Sequence, residues 1–237
     1  MNDIKALIRE LVAGNRILAN EGVVDAWGHI SVRNPDNPNH YFLSRSRSPE
    51  LVEPDDIMEF DLENKPIKDD GRPIYIERPI HGAIYAARPD VMSVVHNHCP
   101  EILPFAITNV PMRPAVHNAR RLGEKLDIWD IAKKFGDTDL LVTTNDQGHD
   151  LAKTLAHGKA VIMRGHGCAV TGKHIPDAVQ CSLSIKNNAN AILSGLKLGP
   201  IQYLSPGEIN RPQGGQDSLR GHDRSWEYLC RRAGVSL

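Results

Sequence analysis

The chain has 237 residues, 41% of them hydrophobic and 24% charged, with 28 Lys and Arg against 29 Asp and Glu. That is an ordinary globular composition near neutrality, so no overall field draws it to nucleic acid or an anionic membrane. No apolar run approaches the ~20 residues of a membrane-spanning helix, and MNDIKALIRELV has no signal-peptide core, so the expected location is the cytoplasm.

Ile4, Leu7, Ile8, Leu11, Val12 and Leu18 follow helical spacing, with Asp3 as N-cap and Gly22 as stop. HISVRN and HYFLSR predict two short strands around the turn cluster Pro35-Asp36-Asn37-Pro38, and DIMEFDLENKPI predicts a hairpin turning at Glu63-Asn64. Ile74-Tyr75-Ile76 is strand-like and leads to a short helix, RPIHGAIYAARP, closed by Pro89. VMSVVHNH predicts a buried strand. PEILPFAITN predicts a helix with Pro100 at its first position. LDIWDIAKKFG predicts a helix, DLLVTT a strand and DQGHDLAKTLAHG a helix. KAVIMRGHG predicts a strand running into a histidine, and IPDAVQCSLSIKNNANAILSGLKLG a long helix. Beyond Pro200 the tail is rich in Pro, Gly and Arg before a last helix, DSLRGHDRSWEYLCRRAG. Its Trp226, Tyr228 and Leu229 predict apolar surface to be covered by another subunit. The four cysteines, at 99, 168, 181 and 230, form no C-x-x-C pair and predict buried free thiols. Strands and helices mix without a strict βαβ beat. This predicts one α/β domain with a largely antiparallel or mixed sheet.

Chemistry concentrates in three places. His96 and His98 are two apart at a strand end, so their imidazoles leave on one side. His166, framed by glycines in MRGHG after an apolar strand, is the third ligand candidate. Three neutral imidazoles suit a divalent first-row ion and leave positions open for substrate. Glu77, among apolar residues at a strand–helix junction, is a candidate fourth ligand or general acid/base.

The N-terminal helix, GHISVR, FLSRSRSPELVEPDDI, Glu77, HGAIYAARPDVMSVVHNH and the distant G-H-G together resemble the class II aldolase/adducin family across nearly the whole chain. The resemblance implies a single α/β/α layered domain, residues 1–237, around a mostly antiparallel sheet. It implies His96, His98 and His166 as metal ligands, Glu77 as the catalytic acid/base, and a homotetramer with sites at subunit interfaces. His117, Arg120 and the His222–Tyr228 segment are candidates for reaching a neighbour's site.

Sugar-phosphate members bind phosphate with a Gly-Asn-x-Ser turn, a Thr-x-Ser-Gly loop and a Ser-Ser pair. Here these read Gly28-His29-Ile30-Ser31, Ser44-Arg45-Ser46-Arg47 and Tyr75-Ile76. A phosphate cradle needs small residues and open backbone N–H groups, whereas the planar fork of Arg47 suits a carboxylate. Substrate contacts are therefore expected from Arg47, Ser46, His29, Ser31 and Tyr75, the last or His29 packing on a flat ring. The Ser-Arg-Ser-Arg loop resembles the family's decarboxylating branch. It implies metal-dependent decarboxylation of a hydroxylated aromatic or pyridine dicarboxylate, first among them 3-hydroxy-2-methylpyridine-4,5-dicarboxylate of vitamin B6 breakdown. The substrate's oxygens favour Mn2+, and the histidines favour Zn2+. The alternatives are an aldolase acting on a small hydroxy-keto acid or sugar phosphate, and a non-enzymatic, adducin-like interaction domain.

Overall fold

The computed structural model describes residues 3–211 and 215–235. Seven strands form one sheet: β1 His29–Arg33, β2 His40–Ser44, β3 Ile57–Asp61, β4 Ser93–Asn97, β5 Asp127–Trp129, β6 Ala160–Met163 and β7 Gly167–Gly172. Their order across it is β3-β2-β1-β4-β7-β6-β5. Every pairing is antiparallel except the parallel edge pair β5–β6.

Helices cover both faces, because strand residues alternate between them. Helix α1 (Ile4–Asn20) and the long α6 (Ile175–Gly195) pack on one face with Ile30, Val32, Val95, Ile162 and Val170. Helices α2 (Pro79–Ala87) and α5 (Asn145–Leu155) pack together on the other, over Leu43, Met58, Phe60, Val94 and Val161. Single turns α3 (Leu103–Ala106), α4 (Ala132–Phe135) and α7 (Pro206–Ile209) serve the connections. The expected layered α/β/α domain is the observed one. Asp3 caps α1 by accepting from the Ala6 N–H, and Gly22 turns the chain away at φ +63°.

Several local expectations change. LDIWDIAKKFG splits into edge strand β5 and the turn α4, because Trp129 pairs with Met163 and donates its indole N–H to Asp150. DLLVTT joins no strand; Leu140 takes φ +71° and the segment runs as a loop. Residues 74–76 are likewise loop and turn, and α3 starts at Leu103, with Pro104 rather than Pro100 in its first turn. The unpredicted β7 pairs between β4 and β6. The hairpin at Glu63-Asn64 reduces to a turn with Asn64 at φ +68° and a lone bridge between Phe60 and Pro66.

Helix α8 (Gly215–Arg232) corrects the expected apolar surface. Trp226 and Leu229 are buried in the chain's own core with Cys230, and Tyr228 alone of the three is exposed. His222 lies outside the residues whose side chains are described. All four cysteines are free and buried. Among the described residues, no helix is long and apolar enough to cross a membrane.

Candidate active site

Strand β4 delivers His96 on the face shared with Val94, directly opposite His29 of β1. His98 lies just past the strand end. The β6–β7 hairpin brings up His166 through a tight turn with Gly165 at φ +66°, a backbone region open to glycine. Gly167 has its own constraint: a Cβ there would lie 2.2 Å from the Asn97 carbonyl oxygen. Only a bare backbone lets the hairpin approach β4 this closely. Glu77 sits in the turn entering α2, beside Arg78, which donates to the Asn64 and Tyr75 carbonyls.

These four side chains converge. The Nε2 atoms of His96 and His98 are 3.0 Å apart, and those of His98 and His166 are 3.2 Å apart. Glu77 Oε2 lies 3.4 Å from His96 Nε2 and 3.3 Å from His166 Nε2. One ligand atom from each falls within 4.8 Å of all the others. Glu77 Oε1 accepts from the Val142 N–H, so the loop expected as a strand supplies a backbone donor instead. Burial pushes the Glu77 carboxyl up, but His96 and His166 outweigh it and hold it well below the usual carboxylate range. Three imidazole nitrogens and an anionic oxygen turned on one point repel or waste their lone pairs unless a cation lies between them. The donor set therefore fits a divalent metal.

Asp25 was not expected. Its carboxylate, itself accepting from the Trp27 and Gly28 N–H groups, lies 3.1 Å from His98 Nδ1. Accepting there, it turns the Nε2 lone pair of His98 toward the cluster. Nothing in Asp25-Ala26-Trp27-Gly28 distinguishes this from a common turn.

Glu77, His98 and His166 of the cluster line a cavity of about 540 Å³ whose walls include Trp27, His29, Ser46, Ile74, Tyr75, Ile76, Asp139, Leu140 and Leu141. The Tyr75 ring is 4.4 Å from the His29 ring, and its hydroxyl donates to the Arg47 carbonyl. Burial raises the Tyr75 pKa, so it stays a phenol. Arg47 does not line the cavity. Its Nη1 and the Nε of Arg45 both donate to the buried Asp56. The loop's backbone is occupied too: Arg45 N–H donates to Asp56 O, and Ser46 N–H to Pro73 O. Ser31 is fully buried one layer behind His29. No residue of the described tail lines the cavity, nor do His117 and Arg120.

Two more unexpected residues stand behind His29. His29 Nδ1 is 2.6 Å from His81 Nε2; His81 Nδ1 is 2.6 Å from Ser31 Oγ; Ser31 Oγ is 2.7 Å from the Tyr85 hydroxyl. Burial pushes the His81 imidazole down to about 3, and His29 far down as well. A signal existed: His81 and Tyr85 are one helical turn apart, and His29 and Ser31 share one strand face.

A sequence model of the family described as Class II Aldolase and Adducin N-terminal domain matches residues 9–193. The chain belongs to that family. Decarboxylase tropJ of Talaromyces stipitatus is 36% identical over 94% of the chain and 92% of its own length. The 3,4-dihydroxyphthalate decarboxylase of Arthrobacter keyseri is 27% identical over 80% of the chain and 77% of its own. Among solved structures, an L-fuculose 1-phosphate aldolase from Glaciozyma antarctica PI12 superposes with a TM-score of 0.78 at 23% identity, covering 97% of this chain and 90% of that one. The layered fold and mixed seven-stranded sheet are those of the class II aldolases. The relatives include decarboxylases as well as aldolases.

Proposed function

We propose that the chain is a divalent-metal-dependent carboxy-lyase acting on a hydroxylated aromatic or pyridine dicarboxylate. The observation that carries this reading is a His3Glu donor cluster opening through Glu77, His98 and His166 into a cavity with aromatic and aliphatic residues on its walls. Loop 44–47 argues against a sugar phosphate, because the N–H groups of Arg45 and Ser46 already donate to the Asp56 and Pro73 carbonyls and an arginine side chain stands at position 47. Two relatives named as decarboxylases support the reaction, and the dihydroxyphthalate of one supports the ring class. The Ser-Arg-Ser-Arg loop makes 3-hydroxy-2-methylpyridine-4,5-dicarboxylate our first substrate.

His96, His98 and His166 would hold the ion. When bound, a divalent ion supplies Lewis acidity for the electron pair released as the carboxylate leaves; we favour manganese, with zinc as second choice. Glu77, with Oε1 held by Val142, uses Oε2 to take the ring-hydroxyl proton and return it to the ring carbon. Tyr75 packs on the ring, His29 meets the substrate beside it, and Ser46 edges the cavity. Arg47 has enough donors to serve Asp56 and a retained substrate carboxylate together. Ser31 acts from behind His29. Four unpaired cysteines suit a reducing cytoplasm. We assign a homotetramer, supported by exposed Trp27 and Ile76 at the cavity and by Leu198 and Tyr228 near the tail.

The test is metal analysis followed by carbon dioxide release. The wild type should decarboxylate a ring diacid with an ortho hydroxyl and leave its methyl ether untouched. His98→Ala should lose the metal. Glu77→Gln should keep it and lose at least about a hundredfold in kcat. Aldol cleavage without carbon dioxide release would hand the function to the aldolase alternative.

A further inference from the structure

The buried line His29–His81–Ser31–Tyr85 is more than packing. Its four side chains are each at most 2% exposed, and its three contacts are all short. Each link holds one proton, so the direction of one link sets the next. The inner end decides it. Among the described residues, Ser31 Oγ is the acceptor in reach of the Tyr85 hydroxyl, and a fully buried hydroxyl with no acceptor is costly. The Arg33 guanidinium, stacked 4.7 Å from the Tyr85 ring centre, offers no acceptor. Tyr85 therefore donates to Ser31, Ser31 donates to His81 Nδ1, and the single proton of His81 sits on Nε2. That proton goes to His29 Nδ1. With Nδ1 accepting, the His29 ring proton is left on Nε2, and His29 lines the cavity.

We propose that Tyr85, Ser31 and His81 are positioning residues that fix His29 as an Nε2–H donor to an anionic oxygen, such as a carboxylate, of the molecule in the cavity. The proposal rests on the cavity being the substrate site, but not on which bond is cleaved there. Reversing the chain would present a lone pair to the same oxygen and repel it.

Two measurements test it without turnover. Neutron diffraction from deuterium-exchanged crystals of the zinc-loaded protein should place deuterium on His29 Nε2 and on His81 Nε2. A bare His29 Nε2 overturns the proposal. Second, phthalate, which has two carboxylates and no ring hydroxyl, serves as an inert probe in calorimetry. Tyr85→Phe should weaken phthalate about tenfold with zinc content unchanged. Tyr41→Phe removes a buried hydroxyl bonded to Asn64, outside the chain, and should leave affinity alone. Equal losses in the two variants, or none in Tyr85→Phe, would overturn the positioning role. Failure to release carbon dioxide while these results hold would count against the decarboxylase reading alone.

Discussion

At the scale of single residues, carboxylates outside the metal cluster set how well it works. Asp25 is half-exposed, yet it is the acidic partner of His98 Nδ1. Removing its charge loosens the orientation of one ligand while leaving all four in place. Asp25→Asn should therefore lower zinc affinity about 10- to 100-fold, read by competition with a chelating dye, with the fold unchanged by circular dichroism. Asp56 holds the loop at 44–47 through Arg45 and Arg47. Burial raises its pKa, but the Glu53 N–H, Arg45 and Arg47 more than reverse this and hold it below the ordinary carboxylate value. A depressed folded pKa adds stability above the unfolded value, near 4, and loses it as pH falls through the folded one. Asp56→Asn should cost about 2–3 kcal/mol at pH 7. In urea melts, the gap between the two proteins should close as pH drops below about 4. A constant gap would mean that shape, not charge, is what Asp56 contributes.

At the scale of elements, the site depends on how closely the β6–β7 hairpin approaches β4. Gly167 pairs at the end of β6, and its missing side chain leaves room for Asn97 O and the His98 ring. Gly167→Ala should push the hairpin away from β4 and separate His166 from His98. The expected result is a folded protein, less stable by about 1–3 kcal/mol, that no longer retains metal through dialysis. Full metal retention would show that the hairpin can shift without carrying His166 away. The loop at residues 139–143 works similarly through its backbone. Its Val142 N–H anchors Glu77, which is why an apolar segment with strand propensity stays out of the sheet.

For the whole molecule, the last helix closes the core with Trp226 and Leu229, which pack with α1 and α6, and among its described side chains leaves Tyr228 as the exposed aromatic. The apolar surface left for a partner lies elsewhere. Trp27 is 73% exposed and Ile76 58%, both on the cavity's rim, and Leu198 is 92% exposed. A neighbouring subunit covering that rim would also wall the cavity. Light scattering at micromolar concentration should give the mass of a tetramer, and Trp27→Glu should lower it. A wild-type monomer with full carbon dioxide release would remove the assembly from the proposal.

Local pattern by itself marked the long helices, the strands β1, β2, β4 and β6, and His96, His98 and His166 as ligand candidates, while the role of Glu77 came with the family resemblance. Each of these is marked by its neighbours in the chain: the 3.6-residue repeat of α1, the apolar run before His96, the glycines around His166. Only the tertiary structure decided the rest. LDIWD became a strand because an open edge of β6 lay beside it, 139–143 became a loop whose Val142 N–H holds Glu77, and 74–76 became loop and turn with the Tyr75 carbonyl accepting from Arg78. Asp25, His81 and Tyr85 joined the site through contacts 50 to 73 residues apart in sequence, visible beforehand only as a turn acid and a polar stripe on α2. Arg47 reads in sequence as an open cation, but Asp56 meets it through folding. Local pattern records which face a side chain takes; what it meets there depends on which distant segment packs against that face.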